Sequence, residues 1–529
     1  MAPKSITLED IASHAGVSTA AVSQALSGKG ALSPATRQRI LQVVEELSYR
    51  PDRTAQSLAL RRASQASGKR IEGSRRSQLP PPGVMVFYDL PELVEITHLE
   101  IQQMEEEGHE VGEYREQLAA WSKPTKQRLY RLYSDVLSAP MRADWSHHEP
   151  DTLAEIQRAR PAGPRDAGLS IPYTALYERI YGAWLGRVTG CTLGKPLQAG
   201  WSKAQVVQYL QVAGSYPLTT YIPRLIPLPS GFEFNPQAAG CFLGEIEGAP
   251  PDDDTDYTVL NLHLLESYGL HFATSDLATE WLGHLAYFGL HTTERAIYRN
   301  LVWNVHPDEA ATFVNPEREF IGARVRADIY GYVTPAKPEL AAALAFRDAS
   351  LSHTKNGIYS AMLTAAMLSW AFVTDDPVEI VSVGLSEIPQ ECRLAEAVRD
   401  LLAMHERTED WELAYEHLLL KVGGYSPIHT INNTAWVILS LLFGAGDFDR
   451  SLGLAVTCGM DTGSNAASLG SLLGLCLGAS RLPSKWVEPL QDVLHTAVAQ
   501  IPQARISVLA RRTAQVAEAT LSAASQDKE

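Results

Sequence analysis

A chain of 529 residues is too long for one ordinary hydrophobic core, so two or more domains are expected. With 45% hydrophobic and 20% charged residues it reads as globular and soluble rather than disordered or fibrous. The formal net charge of -16 argues against nucleic acid for the chain as a whole, but the charge is uneven. Residues 1–80 carry 12 Lys+Arg against 6 Asp+Glu, and the remainder 33 against 55. A basic head on an acidic body is the asymmetry of a DNA-binding fusion. No run of 18 apolar residues exists; the nearest, 466–479, is short and rich in Gly and Ser, so a buried helix is expected and no membrane. Cys191, Cys241, Cys392, Cys458 and Cys476 are scattered, and the first ten residues lack the apolar run of a signal peptide. A cytoplasmic protein is the expectation.

In chain order, apolar Leu8, Ile11, Ala12 and Ala15 space out one helix over residues 8–15. Gly16 supplies a tight turn, and Ser18 stands ready to cap a second helix over 19–26. A third follows over 34–47, capped by Ser33. Residues 1–60 are thus expected to form a helical head. Residues 61–82 are basic, rich in Ser and Gly, and end in three prolines, the composition of a flexible linker. A charged, mostly helical leader follows over 83–165. In it GVMVFYDL reads as one short strand and LEIQQMEEEGHEVGEYREQLAAW has helical spacing. The body, 166–529, is a series of apolar helical segments such as 358–373, 435–443 and 466–479, broken by Gly, Pro and Asp loops. Strand alternation is scarce, so the fold class is all-α.

Helix, glycine turn, capped helix and third helix form the order of a helix-turn-helix. SITLEDIASHAGVSTAAVSQALSGKGALSPATRQRILQVVEELSYRPDRTAQSL resembles the LacI family head over its full length, most closely at DIA, AGVS, VSQAL and YRP. The resemblance implies that the second helix enters the major groove of an operator. It puts Thr19, Ala20 and Gln24 at base edges and Ser18 and Ser23 nearer phosphate. Gln24 suits a bidentate contact to adenine, and Ala20 a thymine methyl. Residues 53–60 resemble the family's hinge helix, with Leu58 at the position of the minor-groove wedge. Arg53 and Arg61 are available for phosphates. Two half-sites imply a homodimer.

Three separated segments of the body carry chemistry: GAWLGRVTGCTLGKPLQ, PDDDTDY and GMDTGSNAASLG. Four acids in five positions repel one another unless a cation or water sits among them, and several carboxylates beside a hydroxyl suit Mg²⁺ or Mn²⁺. An acidic loop alone is more often simply solvated, and a plain helix N-cap alone is the favoured account of Asp461. Gly470, Gly474 and Gly478 recur at every fourth position, which permits close helix packing.

Together these segments resemble the ADP-ribosylglycohydrolase family over roughly 173–490. TTERAIYRNLVWN, NPEREFIGARVRAD, RDASLSHTKNGIY and HTINNTAW also fit. The resemblance implies a large orthogonal α-helical bundle with a site for two Mg²⁺ or Mn²⁺ ions. It assigns metal to Asp252, Asp253, Asp254, Asp461 and Ser464. It assigns catalysis to Asp253, Asp254 and His353, acting on an ADP-ribosyl or related ribosyl or N-glycosyl bond of a small molecule or modified macromolecule. Gln198, Asn315, Glu317, Asn356, His429, Asn432 and Asn433 are candidates to bind the substrate, or polar groups that satisfy buried backbone. Two positions depart from the family pattern. Gly463 stands where a second metal-binding Asp is expected, which puts the second ion site in doubt. Gln198 stands where many members carry Glu, and an amide is neither acid nor base. Two readings follow: an active hydrolase tied to DNA, or a domain with reduced catalysis that senses a ligand for the head.

Overall fold

The computed structural model describes residues 88–198 and 200–526 and, in the head, residues 12, 14–17, 22, 36, 39, 40 and 43. The chain divides into two compact units, Met1–Ser74 and Arg75–Glu529. In the first, Ala12, His14 and Ala15 are helical and Gly16 turns the chain at φ +62°. The Val17 N–H closes that turn on the Ala12 carbonyl at 3.0 Å. Val22 and Ile40 are helical and fully buried. The expected DNA contacts Ser18, Thr19, Ala20, Ser23, Gln24, Arg53, Leu58 and Arg61 and the linker 61–82 lie outside the described residues.

Helices of seven or more residues in the second unit are numbered here in order. The leader holds α1 (Leu90–Glu106), α2 (Gly112–Ala119), α3 (Lys126–Val136) and α4 (Leu153–Ala159). Residues 83–87 of the expected strand lie outside the described residues, and its last residues do not continue one. Asp89 caps α1 instead: its carboxylate accepts the Glu92 N–H at 2.8 Å, and Glu92 accepts the Asp89 N–H at 3.0 Å. This reciprocal box starts a helix where apolar alternation suggested a strand. α1, α2 and α3 bury their own small core around Leu93, Ile101, Leu129 and Val136, closed by Phe313 and Val314 of the body.

The body continues with α5 (Tyr173–Gly194), α6 (Lys203–Val212), α7 (Asp253–Tyr268), α8 (Thr274–His284), α9 (Thr292–Val302), α10 (Pro338–Ala349), α11 (Lys355–Trp370), α12 (Pro377–Leu385) and α13 (Arg393–Arg407). It ends with α14 (Trp411–Val422), α15 (Thr430–Gly444), α16 (Phe448–Thr457), α17 (Thr462–Leu477) and α18 (Ile506–Gln526). One short antiparallel pair, β1 (Val493–His495) and β2 (Gln503–Arg505), aligns Leu494 with Ala504. The all-α expectation holds. α11 and α15 are buried along almost their whole length, which is why neither shows a polar stripe in sequence. No described helix is long and apolar enough to cross a membrane.

The tightest packing is α5 on α17. A Cβ on Gly182, Gly186, Gly190 or Gly194 would lie within 2.2 Å of the carbonyl oxygen of Gly474, Gly470, Ala466 or Thr462, respectively. The two backbones therefore touch without intervening side chains. Of the glycines expected to permit close packing, Gly470 and Gly474 meet Gly186 and Gly182 of α5 at the same four-residue interval, whereas Gly478 lies just past α17 against the Glu178 side chain.

Candidate active site

α7 and α17 both begin at one cavity of about 340 Å³, whose wall includes Asp252, Asp253, Asp461, Ser464 and Gln198. Asp252 caps α7 by accepting the Asp254 N–H at 3.0 Å, and Asp461 caps α17 by accepting the Ser464 N–H at 3.3 Å. Two helix N-termini thus aim their positive ends at a cluster of acids. Arg187, fully buried on α5, holds the first turn of α7 through the Asp254 carbonyl at 2.8 Å and is itself paired with Asp328 at 2.6 Å.

The acids differ in their surroundings. Burial raises Asp252, but Lys195 at 2.8 Å and the Asp254 N–H outweigh it and hold its carboxyl below the ordinary value. Asp253 and Asp254 are pushed well up by burial and by Asp252 and the other acids of the cluster. Both carboxylate oxygens of Asp254 are buried and lack a hydrogen-bond partner. Asp461 is raised by burial, with Ser464 and Arg324 opposing. Arg324, buried behind it, is lowered to about 10 by burial, and its Nε and one terminal nitrogen make no hydrogen bond. A buried, unpaired carboxylate is costly unless it holds a proton or meets a cation. Asp252, Asp253, Asp254, Asp461 and the Ser464 hydroxyl form the oxygen-rich set able to hold a divalent ion. The Cys191 sulfur lies within 4.8 Å of Asp252 and Asp254, and burial and those two acids raise its thiol well above the ordinary value.

Gln198 and Gly463 face each other. A Cβ at position 463 would sit 2.3 Å from the Gln198 Oε1, and that oxygen is buried without a partner. The two departures from the family pattern are therefore one local arrangement: the amide fills the space in front of the glycine.

The remaining predicted residues do not line this cavity. His353 is fully buried; its Nε2 faces the Ala323 N–H at 3.3 Å and its Nδ1 the Ser352 hydroxyl at 2.7 Å. It braces the turn after Gly322 from behind. Asn315 donates to the Ala311 and Ser352 carbonyls, and Asn356 to Glu319 and Glu149. His429 caps α15 and stacks on Tyr425 at 4.4 Å. Asn432 donates to the Ser426 carbonyl and Asn433 to that of Pro427. Asn433 also accepts the Asp461 N–H at 3.3 Å and so ties the 426–429 loop to the turn that starts α17. The Glu317 carbonyl takes the Thr293 hydroxyl at 2.5 Å.

Sequence reasoning missed several wall residues: Asn235, Gln237, His291, Thr292, Glu294, Phe320, Ile321, Ile428 and Met460. Glu294 is oriented by Arg326 at 2.7 Å. Thr292 and Met460 have φ +37° and +64°, a conformation that non-glycine residues rarely adopt and that clusters at functional sites. The Phe320 side of the wall is a pair of crossing loops, joined by Ile321 N–H to Ile428 O at 3.1 Å and Thr430 N–H to Glu319 O at 3.0 Å.

The ADP-ribosylglycohydrolase profile matches residues 172–522, and the chain belongs to that family. Residues 7–52 match the profile of bacterial regulatory proteins of the lacI family. The head is 48% identical over 54 residues to the HTH-type transcriptional regulator GalS of Salmonella typhimurium, covering 10% of this chain and 16% of that protein. It is 47% identical over 53 residues to AscG of Escherichia coli and 44% over 52 residues to the ribose operon repressor of Halalkalibacterium halodurans; each match covers 10% of this chain and 16% of that protein. The chain thus spans about a sixth of the length of the regulators it matches. Among solved structures, an "ADP-ribosylglycohydrolase-related protein complex" aligns with TM-score 0.41 and 19% identity over 65% of this chain and 99% of that one. The chain therefore combines a LacI-type head with an ADP-ribosylglycohydrolase body.

Proposed function

We propose that this protein is a cytoplasmic, homodimeric, operator-binding regulator whose body hydrolyses an ADP-ribosyl or related ribosyl or N-glycosyl bond. The observation that carries the hydrolase reading is the buried Asp254 carboxylate, unpartnered beside Asp252, Asp253 and Asp461. Mg²⁺ or Mn²⁺ held there would supply the charge that orients ribose hydroxyls and acidifies a water. Asp253, on the cavity wall, would take the proton of the attacking water. Glu294, fixed by Arg326, orients substrate hydroxyls, and Phe320, Ile321 and Ile428 exclude bulk water from an oxocarbenium-like transition state. Gln198 contributes hydrogen bonding only. With no carboxylate at Gly463, a second ion would be held more weakly than the first.

The same Gln198–Gly463 arrangement favours a second reading, in which turnover is slow and the cavity serves as a ligand sensor. The deciding experiment is Mg²⁺- or Mn²⁺-dependent release of ribose or ADP-ribose from a substrate panel, repeated with Asp253→Ala and Asp254→Ala. Metal-dependent release lost in both variants supports the hydrolase. No release, together with ligand-modulated operator binding, replaces it with the sensor. In the head, Gln24→Ala is expected to relax preference at one base pair, and Arg61→Ala to weaken all sequences and flatten the salt dependence.

A further inference from the structure

Away from the cavity, α7 and α8 bring a second group of ligand-type side chains together. His263 stands on α7, and Glu280 and His284 lie one turn apart on α8. The Glu280 Oε2 is 3.4 Å from the His263 Nε2 and 3.0 Å from the His284 Nδ1, and one ligand atom from each residue lies within 4.8 Å of the others. The Glu280 Oε2 and the His263 Nε2 are both buried atoms that make no hydrogen bond. Glu280 is 3% exposed, and its other oxygen accepts the Tyr268 hydroxyl at 3.1 Å, which fixes the carboxylate so that Oε2 points at the two rings. The His284 Nδ1 also lies 3.2 Å from the Glu280 carbonyl, a contact that it gives up on taking a metal.

We propose that His263, Glu280 and His284 bind one zinc-type transition-metal ion that pins α7 to α8. Two imidazole nitrogens and one carboxylate oxygen are the donor set of tetrahedral Zn²⁺. Bonds of roughly 2.0–2.1 Å place tetrahedral ligand atoms about 3.3 Å apart, close to the spacings found here. The fourth position falls to water, on the side where His263 is 26% exposed. Arg512 of α18, a nearby cation, is paired with Glu266 at 2.5 Å and is thereby kept from competing for Glu280. The site differs in kind from the acid cluster of the cavity: two of its three donors are imidazole nitrogens suited to a borderline ion, whereas Asp252, Asp253, Asp254, Asp461 and Ser464 are oxygen donors. His263 follows Asp254 by nine residues, about 13 Å along α7, so the pin steadies the helix that presents the acid cluster.

The test uses the full-length protein with excess Mg²⁺ and one equivalent of Co²⁺. The visible absorption of tetrahedral Co²⁺ is expected, discharged by Zn²⁺. It is expected to vanish in His263→Asn, a change near the surface, and to persist in Asp254→Asn. Zn²⁺ should raise the melting temperature of the wild type but not of Glu280→Gln. Absence of the tetrahedral band overturns the proposal, as does a band indifferent to His263→Asn or removed by Asp254→Asn.

Discussion

At the seam between leader and body, the side chains of Glu100, Glu107, Glu149 and Glu319 are all buried, and each has a guanidinium within 2.8 Å. Arg318 serves the first pair and Arg393 the second. At the mouth of α7, Asp254 is equally buried but has no ion pair among the described residues; only the Arg187 charge and the Ser464 hydroxyl favour its ionised form. The seam spends its acids on structure, and once paired they ask for no ligand. The acid cluster at the cavity is answered only in part: Lys195 pairs Asp252, whereas Asp253, Asp254 and Asp461 have no ion pair among the described residues, an arrangement that is unfavourable without a cation or bound protons. Burial of charge therefore does not distinguish the seam from the cavity; the share of acids with an internal counter-ion does.

The largest effect is expected from Arg393→Ala, which leaves Glu149 and Glu319 buried and unpaired. Such a change costs about 3–5 kcal/mol of unfolding free energy, measured by denaturant titration. A loss below about 1 kcal/mol would break the contrast. Asp254→Asn should do the reverse: the metal-free protein is as stable as wild type or more so. Saturating Mg²⁺ or Mn²⁺, at about a hundred times its Kd, stabilises the wild type by roughly 2.7 kcal/mol and this variant not at all. Gly463→Asp, which supplies the missing family carboxylate, crowds Gln198 and should cost about 1–3 kcal/mol. Adding Gln198→Ala should recover most of that loss, and a double-mutant cycle without coupling would contradict the contact.

The smallest effect concerns pH. Burial and Glu294 raise Glu317 from 4.5 to about 7, against Arg299 and Arg295. Between those values the folded chain holds a proton that the unfolded chain has lost, so stability falls as pH rises through that window. Discounted for its partial exposure, the effect is on the order of 1 kcal/mol, and Glu317→Gln should flatten the profile.

Much of this was legible in sequence, unevenly. Asp252, Asp253, Asp461, Ser464 and Gln198 come from three distant segments, yet their motifs placed them at one cavity. Helical spacing marked α17, whose glycine interval also signalled its packing. Asn315, Asn356, His429, Asn432, Asn433 and His353 did not reach the cavity wall, because a polar residue in an apolar segment is needed just as often to satisfy buried backbone. Here they hold the loops that form the wall. Glu294 stood within TTERAIYRNLVWN, but no spacing there says that its carboxylate is turned by Arg326. Met460 and Thr292 are marked by backbone conformation, which a side-chain pattern does not encode. Asp89 was misread because one capping residue outweighs a few alternating apolar ones.

The glycine contact of α5 with α17 sets how the cavity can respond to an occupant. Widening it on that side means pulling apart two backbones already in contact, with no side chains between them to rearrange. The opposite wall is made of two loops hydrogen-bonded to each other. Glu319, at their crossing, is gripped by Arg393 and by Gln103 of α1 at 2.8 Å. The cavity is thus bounded on one side by a backbone contact with nothing to rearrange, and on the other by loops tied through Glu319 to the leader.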